Sequence, residues 1–351
     1  MRFRWLESRE ESFAQRCWLA PLGLLSLGYG VGAAWNRRLH EAGWLSRRQL
    51  AAQVVSVGNL VVGGTAKTPL AAWLAAGLRR RGRRVVLASR GYGRRGGEAV
   101  EVVSDGRFVR GTAERVGDEP MLLAAKAPGV PVLVGRDRGL VGLRALSAFD
   151  AEVIVLDDGF QHHRLARDVD IVSFDGGLGF GNGRVLPRGP LREPAGALRR
   201  ADAIGVVDGP LPEADEQRLA RFAPDAFRFA TRRAPDALRQ LDGTALDAPA
   251  SLADAEVGML VGVAQPRGVR RTLESLGAKV VAERVFPDHH AFRREDLAGL
   301  EAEAPRWITT EKDAVKLRPD WATQLDLAVL SIELEVDAPG AFLDWLEARL
   351  R

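Results

Sequence analysis

Two stretches of the 351-residue chain carry residue types arranged for phosphate chemistry. The first is Gly58-Asn-Leu-Val-Val-Gly63-Gly64-Thr65-Ala66-Lys67-Thr68. An apolar run, Gln53 to Gly58, precedes it, and helix-forming sequence from Thr68 to Arg81 follows, with Pro69 tolerated in the first helical turn. In that setting the backbone N–H groups of the turn and of the helix start are expected to bind β- and γ-phosphate oxygens. Lys67 would add a point charge there, and Thr68 would ligate Mg²⁺ through its hydroxyl. The strict pattern G-x-x-x-x-G-K-[ST] is not met: its first glycine falls on Val61 and its second on Ala66. Alanine resists positive φ, so a local adjustment of the loop is expected. The second stretch, Val153-Ile-Val-Leu-Asp157-Asp158-Gly159-Phe160-Gln161-His162-His163, is an apolar strand ending in two acids. Asp-Gly pairs are common in turns, but beside a phosphate loop such a strand end holds Mg²⁺ directly or through water. Two adjacent carboxylates also repel unless a cation neutralises them. Either Asp157 or Asp158 is a candidate for the direct ligand. His162 and His163 lack partners at metal-ligand spacing and are expected to be structural or substrate-facing.

Short β-branched runs alternate with helical stretches around both motifs. Arg84 to Ala88, Pro131 to Gly135, Glu152 to Leu156 and Asp170 to Phe174 read as strands. This rhythm predicts an α/β fold with a mostly parallel sheet covered on both faces. Residues 222–250, rich in Ala, Pro, Asp and Arg, read as a connection, and a second α/β unit follows from Val257. The expected organisation is an N-terminal segment over 1–50, a P-loop kinase-like core over 51–228, a hinge of connecting strands over 229–250, and a smaller C-terminal α/β domain over 251–351.

The net charge of +4 resides entirely in residues 1–50, which hold eight arginines against four glutamates. A nucleic-acid binder more often carries its excess along the main domain. Here the arginines flank an uncharged run, Cys17 to Asn36, with Trp18 and Trp35 where interfacial aromatics sit. Its length is just sufficient for a bilayer crossing, although Pro21 and four glycines weaken a helix. A segment that spans or lies in a membrane is expected, against the alternatives of a buried helix or a cleaved leader. Cys17 is the single cysteine, so no internal disulfide forms.

Four further stretches complete a pattern: Ser89-Arg90-Gly-Tyr92-Gly-Arg94, Val116-Gly-Asp118-Glu-Pro120, Leu186-Pro-Arg-Gly-Pro-Leu-Arg192-Glu193-Pro194 and Phe286-Pro-Asp288-His289-His290, supported by Thr310-Glu-Lys312-Asp-Ala314. Together with the two motifs above, the chain from about residue 10 to its end resembles the tetraacyldisaccharide 4′-kinases of lipid A biosynthesis. The resemblance implies two α/β/α domains joined by a two-stranded hinge, with an N-terminal membrane-associated helix. It implies transfer of the ATP γ-phosphate to the 4′-hydroxyl of a tetraacyldisaccharide 1-phosphate, giving lipid IVA, with ATP and Mg²⁺ as cofactors. Asp118 and His289 fall on the catalytic positions. Gly63, Gly64, Thr65, Ala66, Lys67, Thr68, Arg138 and Arg192 fall on nucleotide-phosphate positions, and Thr68, Asp157, Asp158 and Glu193 on metal positions. Asn59, Arg90, Tyr92 and Arg94 fall on the substrate side. The implied partners are the acylated disaccharide and an anionic membrane surface, with no nucleic acid, at the cytoplasmic face of the inner membrane of a Gram-negative bacterium. Two departures stand out: Ala66 replaces a glycine, and Val263-Ala-Gln-Pro266 replaces a Gly-Asn-Pro form.

Phosphoryl transfer to an alcohol needs in-line positioning, charge neutralisation and a base near the hydroxyl. Asp118 would accept the hydroxyl proton, oriented by His289. These two lie on different expected domains, so closure of the hinge would assemble them. The rival is a membrane-tethered regulatory ATPase, which also has a Gly-Gly-x-x-Lys-Thr loop. Such proteins carry a lysine just before the glycine pair, where Val62 stands here.

Overall fold

The computed structural model describes residues 18–95 and 97–350. Arg2, Arg4, Arg9, Arg16 and Cys17 of the N-terminal segment lie outside the described residues. In chain order the strands are β1 (Gln53–Gly58), β2 (Val85–Ser89), β3 (Glu101–Ser104), β4 (Val132–Val134), β5 (Val153–Asp157), β6 (Val169–Asp175), β7 (Ala203–Val207), β8 (Phe227–Arg239), β9 (Ala245–Asp247), β10 (Glu256–Val261), β11 (Lys279–Val285), β12 (Trp307–Thr310) and β13 (Leu327–Val336). The chain divides into two compact units that interleave in sequence. The first contains Met1–Ser89, Asp137–Arg232 and Val336–Arg351; the second contains Arg90–Arg136 and Arg233–Glu335. Two strands, β8 and β13, carry the chain from one unit to the other.

In the first unit the strands run parallel in the order β8-β7-β6-β1-β5-β2. Central strands of a parallel sheet are covered on both faces, and β1, β2 and β5 accordingly consist almost wholly of buried residues. The helix Lys67–Arg80 follows β1 and buries Leu70, Leu74 and Leu78. Arg79 and Arg80 in its last turn suit the negative end of its dipole. The C-terminal helix Pro339–Arg349 also belongs to this unit, with Phe342 stacked on Phe229 at 4.2 Å between ring centroids.

The uncharged N-terminal run forms the helix Ala20–Glu41 despite its glycines. Pro21 sits in the first turn, where its missing N–H costs nothing. One side of this helix is tied down: Ser26 Oγ donates to the Val185 carbonyl and accepts from the Arg188 N–H, both at 2.9 Å. A Cβ at Gly30 would lie 3.4 Å from Val185, so the small residue permits this close approach. Leu24, Leu25, Leu27, Val31 and Trp35 remain exposed. Among the described residues no helix is long and apolar enough to cross a membrane.

In the second unit the parallel order is β11-β10-β12-β13, with β3 and β4 paired antiparallel and β9 paired antiparallel with the end of β8. One core gathers Leu252, Val257, Met259, Leu273, Ile308 and Leu330; another packs Trp307 with Leu260, Phe292 and Leu300. The helix Asp118–Lys126, from the 90–136 insertion, is anchored here: Lys126 Nζ lies 2.6 Å from Glu311 and donates to the Ile332 carbonyl at 2.6 Å.

Candidate active site

In the first unit, the loop between β1 and the helix Lys67–Arg80 is braced from within. Asn59, completely buried, donates to the Val61 carbonyl at 2.7 Å and to Thr65 Oγ1 at 3.0 Å. Ser173 of β6 donates to the same Thr65 hydroxyl at 3.2 Å. Asn59, expected on the substrate side, is buried and braces the loop through its amide N–H groups. Gly58 is required by packing, because a Cβ there would lie 2.6 Å from that of Phe160.

The loop ends on Ala66 in the left-handed region, φ 52° and ψ 26°. The chain therefore keeps a glycine-type turn with an alanine in it. That conformation costs an L-residue about 1–2 kcal/mol. Ala66→Gly is expected to raise stability by about 1 kcal/mol, an increase of about 2–4 °C in Tm for a unit of this size. A thermal melt that is unchanged or lower would contradict the strain.

The register pairing Val57 with Asp157 brings the end of β5 beside the loop. Thr68 Oγ1 donates to Asp157 Oδ2 at 3.1 Å. A hydroxyl and a carboxylate side by side are hard oxygen donors of the kind Mg²⁺ takes, with phosphate and water completing its shell. Among the described residues no three His, Cys, Asp or Glu side chains are arranged to hold a metal. Of the four residues expected to hold Mg²⁺, Thr68 and Asp157 are in contact with each other. Asp158, in left-handed backbone with φ 55°, meets two cations. Arg192 Nη1 reaches its two oxygens at 2.8 and 2.9 Å, and Lys67 Nζ lies at 3.8 Å. Burial pushes the Asp158 carboxyl up, but Lys67, Arg192 and Arg138 more than offset this and hold it below its ordinary value. Glu193 is buried and pairs with Arg200 at 3.0 Å. Arg138, also buried, donates to the Asp157 carbonyl at 3.1 Å and so fixes the strand end. Gln161, which no motif marks, donates to the Asn59 carbonyl at 3.0 Å and accepts from Arg192 at 3.4 Å.

His162 and His163 follow the acidic strand end. Burial and then Arg138 push His162 down to about 4, and burial and then Arg200 push His163 down to about 3. Both rings are neutral at neutral pH. His163 lies 5.9 Å, ring to ring, from the buried His40 of the N-terminal helix.

In the second unit, Asp118 and His289 meet. They were expected on different domains, but the 90–136 insertion places both in this one. His289 Nδ1 lies 2.8 Å from Asp118 Oδ2. Asp118 opens its helix after Gly117 (φ 99°), is 5% exposed, and accepts the Glu119 N–H through Oδ1 at 2.9 Å. His289 is itself left-handed, φ 61°, and the Tyr92 ring lies 5.6 Å from it. Tyr92 is exposed, Arg90 is exposed, and Arg94 donates to the Glu98 carbonyl at 2.7 Å. Lys312 completes the cluster, 3.4 Å from His289 Nε2, 3.9 Å from Asp118 and 2.9 Å from Asp288. His290 turns away to Asp296, at 2.9 Å, and stacks on Phe286.

Burial pushes the Asp118 carboxyl up, but the His289 hydrogen bond and the Lys312 charge outweigh it, leaving Asp118 below its ordinary 3.8. The Asp118 hydrogen bond raises His289 above its ordinary 6.5, against burial and Lys312. The depressed Asp118 stabilises the fold above its unfolded value and ceases to do so as pH falls through its native value. The raised His289 stabilises fully below its unfolded value and ceases to do so as pH rises through its native value. His289→Gln is therefore expected to lower Tm more at about pH 5.5 than at about pH 9. Equal losses at both would contradict the coupling.

A family model described as Tetraacyldisaccharide-1-P 4′-kinase matches residues 16–351. A tetraacyldisaccharide 4′-kinase of Anaeromyxobacter dehalogenans (strain 2CP-C) is 45% identical over 344 residues, 94% of this chain and 89% of that one. One of Syntrophus aciditrophicus (strain SB) is 40% identical over 340 residues, 92% of this chain and 90% of that one. The crystal structure of the "apo" form of LpxK from Aquifex aeolicus in complex with ATP is 30% identical, with a TM-score of 0.78, covering 96% of this chain and 99% of that one.

Proposed function

The chain belongs to the tetraacyldisaccharide-1-P 4′-kinase family, and from that membership we propose that it moves the γ-phosphate of ATP to the 4′-hydroxyl of a tetraacyldisaccharide 1-phosphate, giving lipid IVA. The observation that carries this reading is the Thr68–Asp157 contact of 3.1 Å at the head of the phosphate loop. Loop N–H groups and Lys67 bind the β- and γ-phosphates. Thr68 and Asp157 would hold Mg²⁺, which when bound would supply charge neutralisation on those phosphates. Asp158 and Arg192 fix each other, so that both the guanidinium and Lys67 keep their orientation toward the nucleotide. Asp118 takes the proton of the acceptor hydroxyl as its oxygen bonds to the γ-phosphorus and the bond to ADP breaks. Its low native basicity suits a proton released late, when the phosphorus–oxygen bond is already forming. His289 orients the carboxylate. Tyr92, Arg90 and Arg94 are the side chains proposed to meet the disaccharide.

An acylated disaccharide stays in a bilayer, so the enzyme must reach it there. The exposed Leu24, Leu27, Val31 and Trp35 of the helix Ala20–Glu41 support a helix lying in the interface, with Arg37 and Arg38 at its end for anionic headgroups. We place it at the cytoplasmic face of a Gram-negative inner membrane, where ATP is available. Flotation with anionic vesicles tests this: the Leu27→Ser/Trp35→Ser double variant is expected to leave the vesicle fraction, and equal flotation would contradict the placement.

The activity itself is tested with purified protein, Mg²⁺, γ-labelled ATP and the tetraacyldisaccharide 1-phosphate in detergent. Label entering the lipid supports the kinase. Label released only as free phosphate, independent of lipid, supports the regulatory ATPase instead.

A further inference from the structure

Lys312 lies on the short helix Glu311–Ala314 after β12, and its neighbours fix that turn in three directions. Thr310 caps it by accepting the Asp313 N–H at 3.2 Å. Asp313, completely buried, accepts the Gly262 N–H at 3.0 Å and pairs with Lys316 at 2.7 Å. Glu311 accepts from Ser331 Oγ at 2.9 Å and from the Ile332 N–H at 3.0 Å, and it meets Lys126 at 2.6 Å. Lys126 ends the same helix that Asp118 begins. Glu311 thus bolts the turn to the helix bearing Asp118 and Asp313 fixes it to the Gly262 backbone, while the lysine between them faces the carboxylate–imidazole pair. Asp288, at 2.9 Å, holds the ammonium in place.

An ammonium has three N–H donors and no acceptor, whereas a neutral imidazole has one N–H and one lone pair. With Lys312 Nζ 3.4 Å from His289 Nε2, the nitrogen facing it must present its lone pair to be bonded. The ring proton then sits on Nδ1, 2.8 Å from Asp118 Oδ2, where it donates to the carboxylate. The charged groups facing the ring are Asp118, Asp288 and Lys312, with Lys316 acting on Asp118 from farther off. Asp288 at 3.7 Å from Nε2 would favour a proton there; Lys312 is nearer and occupies Asp288 itself.

We propose that Lys312 is a positioning residue of the kinase reaction, which holds neutral His289 in its Nδ1–H tautomer and thereby keeps Asp118 ionised and aimed. This rests on the reading of Asp118 as the base. Lys312 also opposes a second positive charge on the ring, so imidazolium gives way to the neutral tautomer at lower pH than it would otherwise. Removing the ammonium therefore moves the protonation of the pair in one direction: both groups hold their protons to higher pH.

The test uses the full chain labelled with [¹⁵N]histidine, the His289 signals being assigned by their loss in His289→Gln. In the unsubstituted protein above the His289 transition, Nε2 is expected at the shift of an unprotonated ring nitrogen and Nδ1 at that of a protonated one. In Lys312→Met, with an unchanged circular dichroism spectrum, the Nε2–H form is expected to appear. The acid limb of kcat/KM is then expected to rise by about one pH unit. Lys312→Arg, which keeps a permanent cation, is expected to restore both. A folded Lys312→Met with the same tautomer and the same acid limb overturns the proposal, even if its turnover is lower, because a lysine that only touched substrate would lower turnover in that way. The base reading fails separately, if Asp118→Asn keeps its kcat; the nitrogen shifts still decide what Lys312 does to the ring.

Discussion

Lys67→Ala is expected to lower kcat by about 10²- to 10³-fold, the usual loss when one preorganised charge donor to a transition state is removed. The side chain begins the helix that follows the phosphate loop and is largely covered, so its charge acts in a medium that screens it weakly. The loop itself should survive the change. Its internal bracing comes from Asn59, Thr65 and Ser173, and Asp158 keeps Arg192 as its closer cation at 2.8 Å. A normal melting temperature with collapsed turnover is therefore the expected combination. Lys67→Arg is expected to rescue little, since a planar fork does not replace a compact ammonium. Steady-state kinetics with saturating acceptor check this, and a kcat within a few-fold of the unsubstituted protein would remove Lys67 from the chemistry.

Asp118→Asn is expected to lower kcat by about 10²- to 10⁴-fold while leaving the KM for ATP unchanged, because a general base contributes on that scale and the nucleotide-binding residues lie elsewhere. The amide keeps the shape of the carboxylate and can still accept the Glu119 N–H, so the start of the helix Asp118–Lys126 is preserved. What it loses is the capacity to take a proton. A variant that kept its kcat would mean that the acceptor hydroxyl loses its proton elsewhere. A variant with raised KM for ATP and normal kcat would assign Asp118 to binding.

The phosphate loop was legible because every part of it is local. Strand, glycine pair, Lys67-Thr68 and helix follow one another in sequence, and β1 forms over the residues whose apolar run announces it. The Asp157 end of β5 was legible for the same reason, once its strand pairs with β1. Other features depend on contacts that no local pattern encodes. Asn59 read as a ligand-facing residue, and no local pattern shows that its amide N–H groups bond Val61 and Thr65 within the loop. Thr68, Asp157, Asp158 and Glu193 read as one metal set, and nothing local announces that Arg192 pairs with Asp158 and Arg200 with Glu193. Asp118 and His289, 171 positions apart, share a unit only because residues 90–136 leave the first unit, and nothing in their composition marks the departure. Strand β7 escaped the pattern because Ala203 and Gly205 interrupt its β-branched run; a Cβ at Gly205 would lie 2.6 Å from the Phe229 ring, which needs that space. Lys312 gave no signal beyond its place in a short motif, since its partners His289, Asp288 and Asp118 are set by the tertiary fold.

The most direct measurement compares two acceptors in a single turnover: the tetraacyldisaccharide 1-phosphate with a free 4′-hydroxyl, and the same lipid with that hydroxyl methylated. Enzyme preloaded with Mg²⁺ and γ-labelled ATP is mixed with each, and the label in the lipid is counted. Transfer to the free hydroxyl in one phase, with none to the capped lipid, is the predicted result. Equal labelling of both lipids, or none of either from a folded protein that binds ATP, would contradict the assignment of a 4′-kinase.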